Sequence, residues 1–220
     1  MVNAEYQRGV INQAAFDMLN LCRSQLNKAK DAFILHDGDL AEEVIHTETR
    51  VNAMDLRIGK DCEKFLALYN PVAMDLRFIM AVLKINSNLE RIADHARNIS
   101  NYVIEDDKKI PSHLIKAVQF EKMYDTINSM LDNITFAYSE NDVKAARKVF
   151  KKDKTLDKIN VKSFSILEDE IKKDASIIRE VLLLFSVVKK LERVGDLIKN
   201  IAEEIIFYVD AEVLKHAKKK

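Results

Sequence analysis

Two stretches of the chain carry the same acidic pattern, 102 positions apart. Each has a glutamate, an aspartate four residues later and an asparagine four residues after that: Glu90, Asp94 and Asn98 in the first copy, and Glu192, Asp196 and Asn200 in the second. On an α-helix, side chains at these spacings line one face. Carboxylate and amide oxygens suit Mg²⁺, Ca²⁺ or Mn²⁺, and clustered carboxylates also hold iron or zinc. The pattern predicts an internal duplication with a candidate cation site in each copy.

Acidic residues also precede each copy of the pattern. Glu48 aligns with Asp153 at an offset of 105 positions, and Asn52 aligns with Asp157 at the same offset. A hairpin that turns near Asn70 would bring Glu48 level with the acidic pattern of the next helix, and the second half repeats this arrangement. Because the second half then has four acids and the first half three, we expect the second cluster to bind a cation more tightly.

Ordinary surface pairing is the competing explanation for these acids. Arg97 follows Asp94 by three residues and Lys199 follows Asp196 by three residues, so each acid has a basic neighbour within reach on its own helix. If every acid is satisfied in this way, the chain is a helical scaffold without a metal site. The sequence leaves both explanations open.

A small residue lies inside each acidic pattern, Ala93 in the first copy and Gly195 in the second. Glycine inside a helix costs about 1 kcal/mol relative to alanine and usually has a packing reason. The pair predicts either close helix–helix contact or room beside a site.

The composition indicates a helical, well-cored protein. Apolar residues make up 48% of the chain, and 35 basic residues balance 35 acidic ones, so the net charge suggests no nucleic acid or membrane as a bulk partner. The two cysteines are too few for a disulfide framework and fit a reducing compartment. With no signal segment at the N-terminus and no apolar run near the ~20 residues of a membrane span, we expect a cytoplasmic protein.

Helix-breaking residues are rare and mark the ends of long helical segments. The chain has two prolines and four glycines, and its turn signals lie near positions 36–39, 70–71, 105–112, 139–142 and 172–175. Apolar residues between these signals recur at helical spacing. We predict an all-α fold of six long helices: two antiparallel three-helix bundles in tandem, residues 1–109 and 110–220. The molecule should be elongated, with each apolar stripe buried inside its own bundle.

The chain resembles the PhoU family of phosphate-uptake regulators in three segments and in its tandem layout. The segments are Pro71–Arg77, Leu89–Ala96 and Leu191–Asp196. The resemblance implies a cytoplasmic, non-enzymatic negative regulator of phosphate import and of the phosphate-starvation response. It also implies that the protein acts between a phosphate ABC transporter and a sensor histidine kinase, reaches the membrane only through these partners, and forms a homodimer.

The resemblance further implies metal clusters, with iron or zinc among the ions, on the carboxylates already described. By match these are Glu90, Asp94, Glu192 and Asp196, with support from Glu48, Asp153 and Asp157. The motif residues Asp75, Arg77, Asn98 and Asn200 are expected to support the sites. The chain departs from the pattern at Asn52, where an acid is expected, and at Ile177, the repeat equivalent of Asp75.

Three functions remain open at this level. The first is a metal-binding regulatory adaptor without catalytic residues. The second is a metal-dependent enzyme, which would need an open coordination position and a general acid or base that the sequence does not reveal. The third is a purely structural helical scaffold.

Overall fold

The structure, a computed structural model, describes residues 2–106 and 108–214. These residues form seven α-helices and no strand: α1 (Val2–Leu35), α2 (Gly38–Tyr69), α3 (Ala73–Glu105), α4 (Ser112–Ala117), α5 (Phe120–Glu140), α6 (Val143–Lys173) and α7 (Ile178–Asp210), with a 3₁₀ turn at Ala175–Ile177. Six of the helices are long, three on each side of Pro111. The predicted all-α fold with two three-helix halves is confirmed. The added short helix α4 arises because Gln119 adopts a φ of 54° and separates α4 from α5.

Two aspartates at equivalent positions begin the second long helix of each half. The Asp37 side chain accepts a hydrogen bond from the Leu40 backbone N–H at 3.0 Å, and Asp142 accepts one from Ala145 at 2.9 Å. Such caps satisfy a backbone N–H that the first turn of a helix leaves without a partner. At the far end of α2, Asn70 has a φ of 45°, in the left-handed region that asparagine tolerates.

The helices α3 and α7 run antiparallel through the middle of the molecule and join the two halves. The Tyr102 and Ser186 side-chain oxygens lie 2.7 Å apart, and Lys84 Nζ lies 3.1 Å from a Glu204 carboxylate oxygen. The buried residues form one continuous cluster that includes α3 and α7. The expectation of a separate core in each bundle is therefore wrong, because both helices bury a second apolar face against each other.

The contacts between α3 and α7 have an approximate two-fold symmetry. Under the repeat, Lys84 corresponds to Ser186 and Glu204 corresponds to Tyr102, so one contact pair maps on to the other with its members exchanged. The hairpin turns of the two halves therefore lie at opposite ends of a molecule about 50 Å long, given a rise of ~1.5 Å per residue. Within the described ranges, no helix combines the length and apolar content that a membrane crossing requires.

Candidate functional site

In the second half, Lys199 lies between two of the predicted metal-binding acids. Its Nζ is 2.8 Å from Asp153 Oδ2 on α6 and 2.5 Å from Asp196 Oδ1 on α7. Asp153 is the more deeply buried of the two acids, with 6% of its surface exposed. The ammonium group thus joins two helices through a charge-assisted hydrogen bond to each carboxylate.

The pKa values in this cluster reflect both burial and pairing. Burial lowers the pKa of Lys199, but its hydrogen bonds to the two aspartates outweigh burial and raise that pKa above its usual value. Burial raises the pKa of Asp153. Burial and the neighbouring Asp196 and Asp157 charges raise the pKa of Glu192, although Arg193 Nε lies 3.8 Å from its carboxylate. Lys199 therefore stays protonated and supplies the positive charge of the cluster.

The first half has the same arrangement around Arg97, the repeat equivalent of Lys199. The Arg97 guanidinium contacts the Glu48 carboxylate on α2 and lies 3.3 Å from Asp94 Oδ1 on α3. Each basic residue was predicted to pair within its own helix. The structure shows that each also reaches the acid on the neighbouring helix, so both act as bridges between helices.

Asp55 belongs to the first-half cluster and was missed at the level of the sequence. Asn86 Nδ2 donates to Asp55 Oδ1 at 2.6 Å and to the Asp55 backbone oxygen at 3.0 Å, which holds this carboxylate in place. Burial raises the pKa of Glu90, and the Asp94, Asp55 and Glu48 charges raise it further. The first half therefore holds a fourth acid beside the three that the sequence predicted.

The second long helix of each half has three equivalent positions with two acids and one amide, but the amide occupies a different position in each half. Asp55 lies seven residues after Glu48, on the same face of α2, and its repeat equivalent is Asn160. Asn52 in the first half corresponds in turn to Asp157 in the second. Each half thus combines two acids and one amide from its second long helix. The two-turn spacing between Glu48 and Asp55 was the available sequence signal.

The donor chemistry fits a cation, but the described arrangement is closed over basic side chains. In residues 2–106 and 108–214, no three His, Cys, Asp or Glu side chains come together in a set that could hold a metal ion. Arg97 and Lys199 take up carboxylate oxygens that a metal would need. In the described part of the chain, Glu90 forms no ion pair, whereas Glu192 has Arg193 beside it. The first cluster therefore keeps more uncompensated negative charge than the second.

Two of the predicted supporting residues, Asp75 and Arg77, lie near the start of α3 and away from Glu90 and Asp94. The Asp75 carboxylate is 3.3 Å from Arg8 Nε and ties α3 to α1. Arg77 Nε is buried and has no hydrogen-bond partner in the described residues. Asn200 lies 3.5 Å from Asn88 across the contact between α3 and α7, and the side chain of Asn98 is half-buried.

Gly195 allows α6 to approach α7 closely. A Cβ atom at this position would lie 2.3 Å from Leu156 Cδ1 and 3.6 Å from Asp153 Oδ1. Because Leu156 is fully buried, its side chain has little room to move away. The glycine is explained by helix packing, and this packing also places Asp153 beside Lys199.

Comparison with known protein families gives a separate match for each half of the chain. The PhoU domain model matches the chain twice, over residues 16–103 and 120–205. The chain belongs to the PhoU domain family. The two matches cover α2, α5 and α6 completely and most of α1, α3 and α7, and each contains the acids of one cluster.

Curated relatives of this family match along nearly the whole chain. The phosphate-specific transport system accessory protein PhoU of Edwardsiella tarda is 31% identical over 214 residues, which cover 97% of this chain and 86% of the relative. The protein of the same name from Escherichia coli (strain K12) is 30% identical, with 97% and 87% covered. Both relatives are named as accessory proteins.

Solved PhoU structures share the fold. The crystal structure of PhoU from Pseudomonas aeruginosa superimposes with a TM-score of 0.88 at 27% identity and covers 94% of this chain and 99% of its own. The phosphate transport system regulatory protein PhoU from Streptococcus pneumoniae gives a TM-score of 0.83 at 22% identity, with 96% of this chain and 99% of its own covered. The fold shared with these PhoU structures therefore extends over nearly the whole chain.

Proposed function

We propose that the protein is a regulatory accessory protein of phosphate uptake and not an enzyme. The observation that carries this proposal is the match of both halves, along 97% of the chain, to accessory proteins of the phosphate-specific transport system. Both acid clusters are also closed over Arg97 and Lys199, which favours a binding role over catalysis at these positions.

Its proposed partners are a phosphate ABC transporter and a sensor histidine kinase, with a homodimer as the functional unit. The names of the relatives support the transporter as a partner. The kinase and the homodimer are supported only by the resemblance in the motif segments. The protein would couple transporter activity to the kinase and hold the phosphate-starvation response off when phosphate is plentiful.

Deleting the gene in its host should raise expression of phosphate-starvation genes at high phosphate. The wild-type chain, supplied in trans, should restore repression, because the proposed role is negative regulation. Reporter expression at high and low phosphate measures the effect. Unchanged expression in the deletion strain at high phosphate would remove the regulatory role.

We propose further that the acid clusters bind a divalent or trivalent metal ion in competition with the bridging basic side chains. The residues that would hold it are Glu48, Asp55, Glu90 and Asp94 in the first half and Asp153, Asp157, Glu192 and Asp196 in the second. A bound metal would supply positive charge that links two helices of one half. Asp55 adds an acid to the first cluster, and Glu90 has no ion pair in the described residues. We therefore expect the first cluster to bind the metal ion more tightly than the second, which reverses the order expected from the sequence.

Two double variants, each lacking two acids of one cluster, test this proposal by comparison of their metal content. They are Glu90→Gln with Asp94→Asn in the first half and Glu192→Gln with Asp196→Asn in the second. The first should remove most of the bound metal and lower the melting temperature most of the way towards that of chelator-treated wild type, because a stabilising ligand is lost from one of the two clusters. The second should remove less. Elemental analysis after purification without a metal-charged resin measures both.

The metal proposal would be contradicted if the purified wild type contained no metal and its melting temperature did not change on addition of chelator. In that case neutralising one repelling pair should leave the stability unchanged or raise it by a few tenths of a kcal/mol.

A further inference from the structure

A polar cavity lies where the two halves of the molecule meet, between α1, the start of α3 and the end of α5. Its volume is about 280 Å³, and its lining includes Arg8, Asn12 and Asn141. Sites for drug-sized ligands occupy about 300–1,000 Å³, so this cavity suits a smaller molecule. Asn12 and Asn141 are exposed, so such a molecule can enter from solvent. We call this site the α1–α5 cavity.

Arg8 supplies an oriented positive charge to the cavity. Its guanidinium carbon lies 4.7 Å from the centre of the Phe78 ring, and its Nε lies 3.3 Å from Asp75 Oδ1. The ring and the carboxylate hold the guanidinium from two directions. The Arg8 side chain is still 36% exposed, which leaves part of its surface open to a ligand.

Two asparagines bring further hydrogen-bond donors from different helices. Asn12 follows Arg8 by four residues and therefore lies on the same face of α1. Asn141 Oδ1 accepts a hydrogen bond from the Tyr208 hydroxyl at 2.7 Å. The Nδ2 group of Asn141 is therefore the one that remains to donate. Together with Arg8, these amides can reach the oxygens of a ligand from more than one side.

Tyr138 also lines the cavity, and its hydroxyl forms no hydrogen bond with any residue that the structure describes. The residue is only 3% exposed, and burial raises the pKa of the hydroxyl, so it stays protonated and can donate. Its repeat equivalent, Phe33, is also buried, so packing at this position does not require a hydroxyl. A buried hydroxyl without a partner costs free energy, and a ligand beside Tyr138 would supply the missing acceptor.

Gly9 leaves one wall of the cavity open. It lies inside α1, where glycine weakens a helix relative to alanine. A Cβ atom at this position would meet no other atom within 4 Å, so close packing does not explain the glycine. Its place in the lining does, because a larger side chain would take up space at the cavity.

We propose that the α1–α5 cavity binds a small oxyanion, either free phosphate or the phosphate group of a small organic molecule. Arg8 would balance its charge, and Asn12, Asn141 and the Tyr138 hydroxyl would bond its oxygens. Because the donors come from different helices, they suit a tetrahedral group with oxygens on every side better than a flat carboxylate. Any role of this ligand as a signal rests on the proposed regulatory function, whereas its binding does not.

Calorimetric titration of the full chain with inorganic phosphate, glycerol phosphate and malonate tests the proposal. At least one phosphate probe should bind more tightly than malonate, and the tighter of the two identifies the source of the oxyanion. Chelator should leave this binding unchanged, which separates it from phosphate held by a metal ion at the acid clusters. Arg8→Met should weaken binding about tenfold or more, because a charge-assisted hydrogen bond is lost. Tyr138→Phe should weaken it less.

Gly9→Leu and Gly59→Leu form a matched pair. Both glycines lie inside long helices, and a Cβ atom at either would meet nothing within 4 Å, but Gly59 lies on α2 and does not line the cavity. Both substitutions should raise the melting temperature, because leucine is the better helix former. Only Gly9→Leu should abolish binding. Glu5, an exposed acid of the lining, repels an anion, so Glu5→Gln should strengthen binding.

The proposal would be overturned if neither phosphate probe bound, if malonate bound more tightly than both, or if the two glycine variants lost binding equally. Weaker binding in Glu5→Gln would also overturn it, because the ligand would then not be an anion. Binding that disappears on addition of chelator would place the phosphate at the acid clusters instead. The titration uses the purified protein, so its result is independent of the gene-deletion test of the proposed regulatory role.

Discussion

Lys199→Met should destabilise the protein by about 2–4 kcal/mol, because it leaves the buried Asp153 without its cation. Breaking a buried ion pair from one side costs roughly 3–5 kcal/mol, and the partial exposure of Lys199 and Asp196 reduces this somewhat. For a chain of this size the melting temperature should fall by roughly 10 °C. Thermal and urea unfolding in the presence of a chelator measure the loss.

The same variant shows whether the carboxylates accept a metal once the lysine is gone. If they do, adding Mn²⁺ or Zn²⁺ should restore part of the lost stability as its concentration rises, and the wild type should respond less. Arg97→Met provides the matched control in the first half. It should cost less, because its partners Glu48 and Asp94 are more exposed than Asp153. A Lys199→Met protein that melts like the wild type would show that the bridge contributes no net stability.

Gly195→Ala should destabilise the protein by up to about 2 kcal/mol, although alanine is the better helix former. The added methyl would overlap Leu156, and overpacking a core costs about 1–3 kcal/mol. The gain in helix propensity, about 1 kcal/mol, offsets only part of this. The equivalent positions in the first half hold Ala93 in place of Gly195 and Val51 in place of Leu156. The half with the smaller residue on its third long helix thus has the larger residue on its second, so the two volumes compensate.

Combining Gly195→Ala with Leu156→Val therefore provides a sharp test. Leu156→Val alone should cost about 1 kcal/mol through the cavity it leaves, whereas the double variant should be close to wild type, because the volumes again match. Urea unfolding of the two single variants and the double variant gives the coupling between the sites. Additive losses in the double variant would show that the glycine is not explained by the contact with Leu156.

The sequence predicted the elements of this fold better than their assembly. Helical spacing and rare breakers located all six long helices, because local periodicity determines which face of a helix is apolar. The packing of α3 against α7 was missed. Both helices are apolar over a wide arc, and periodicity does not reveal which neighbour covers which part of that arc. The short helix α4 was missed for a different reason, since nothing in the sequence marks Gln119 as a left-handed residue.

The sequence predicted most of the residues of the candidate site but not the contacts between them. The duplicated acids and their basic neighbours were found by alignment of the two halves. The bridging of Arg97 and Lys199 between helices depends on the side-chain conformations and on the distance between helices, which the sequence does not specify. Asp55 was overlooked because its repeat equivalent is an asparagine, so alignment gave it no acidic counterpart. Metal binding stays a prediction.

The two-fold contact between α3 and α7 has a consequence for the origin of the chain. A single ancestral half would have exposed the apolar face that α3 now buries, and two copies could have covered it by pairing in an isologous dimer. Fusion of the two genes would have preserved this pairing within one polypeptide. Once fused, the copies were no longer bound to change together. The fused chain can therefore differ between its halves: positions 143–162 of α6 hold eight basic and two acidic residues, whereas positions 38–57 of α2 hold five acidic and two basic residues. A homodimer of identical subunits cannot carry such a difference.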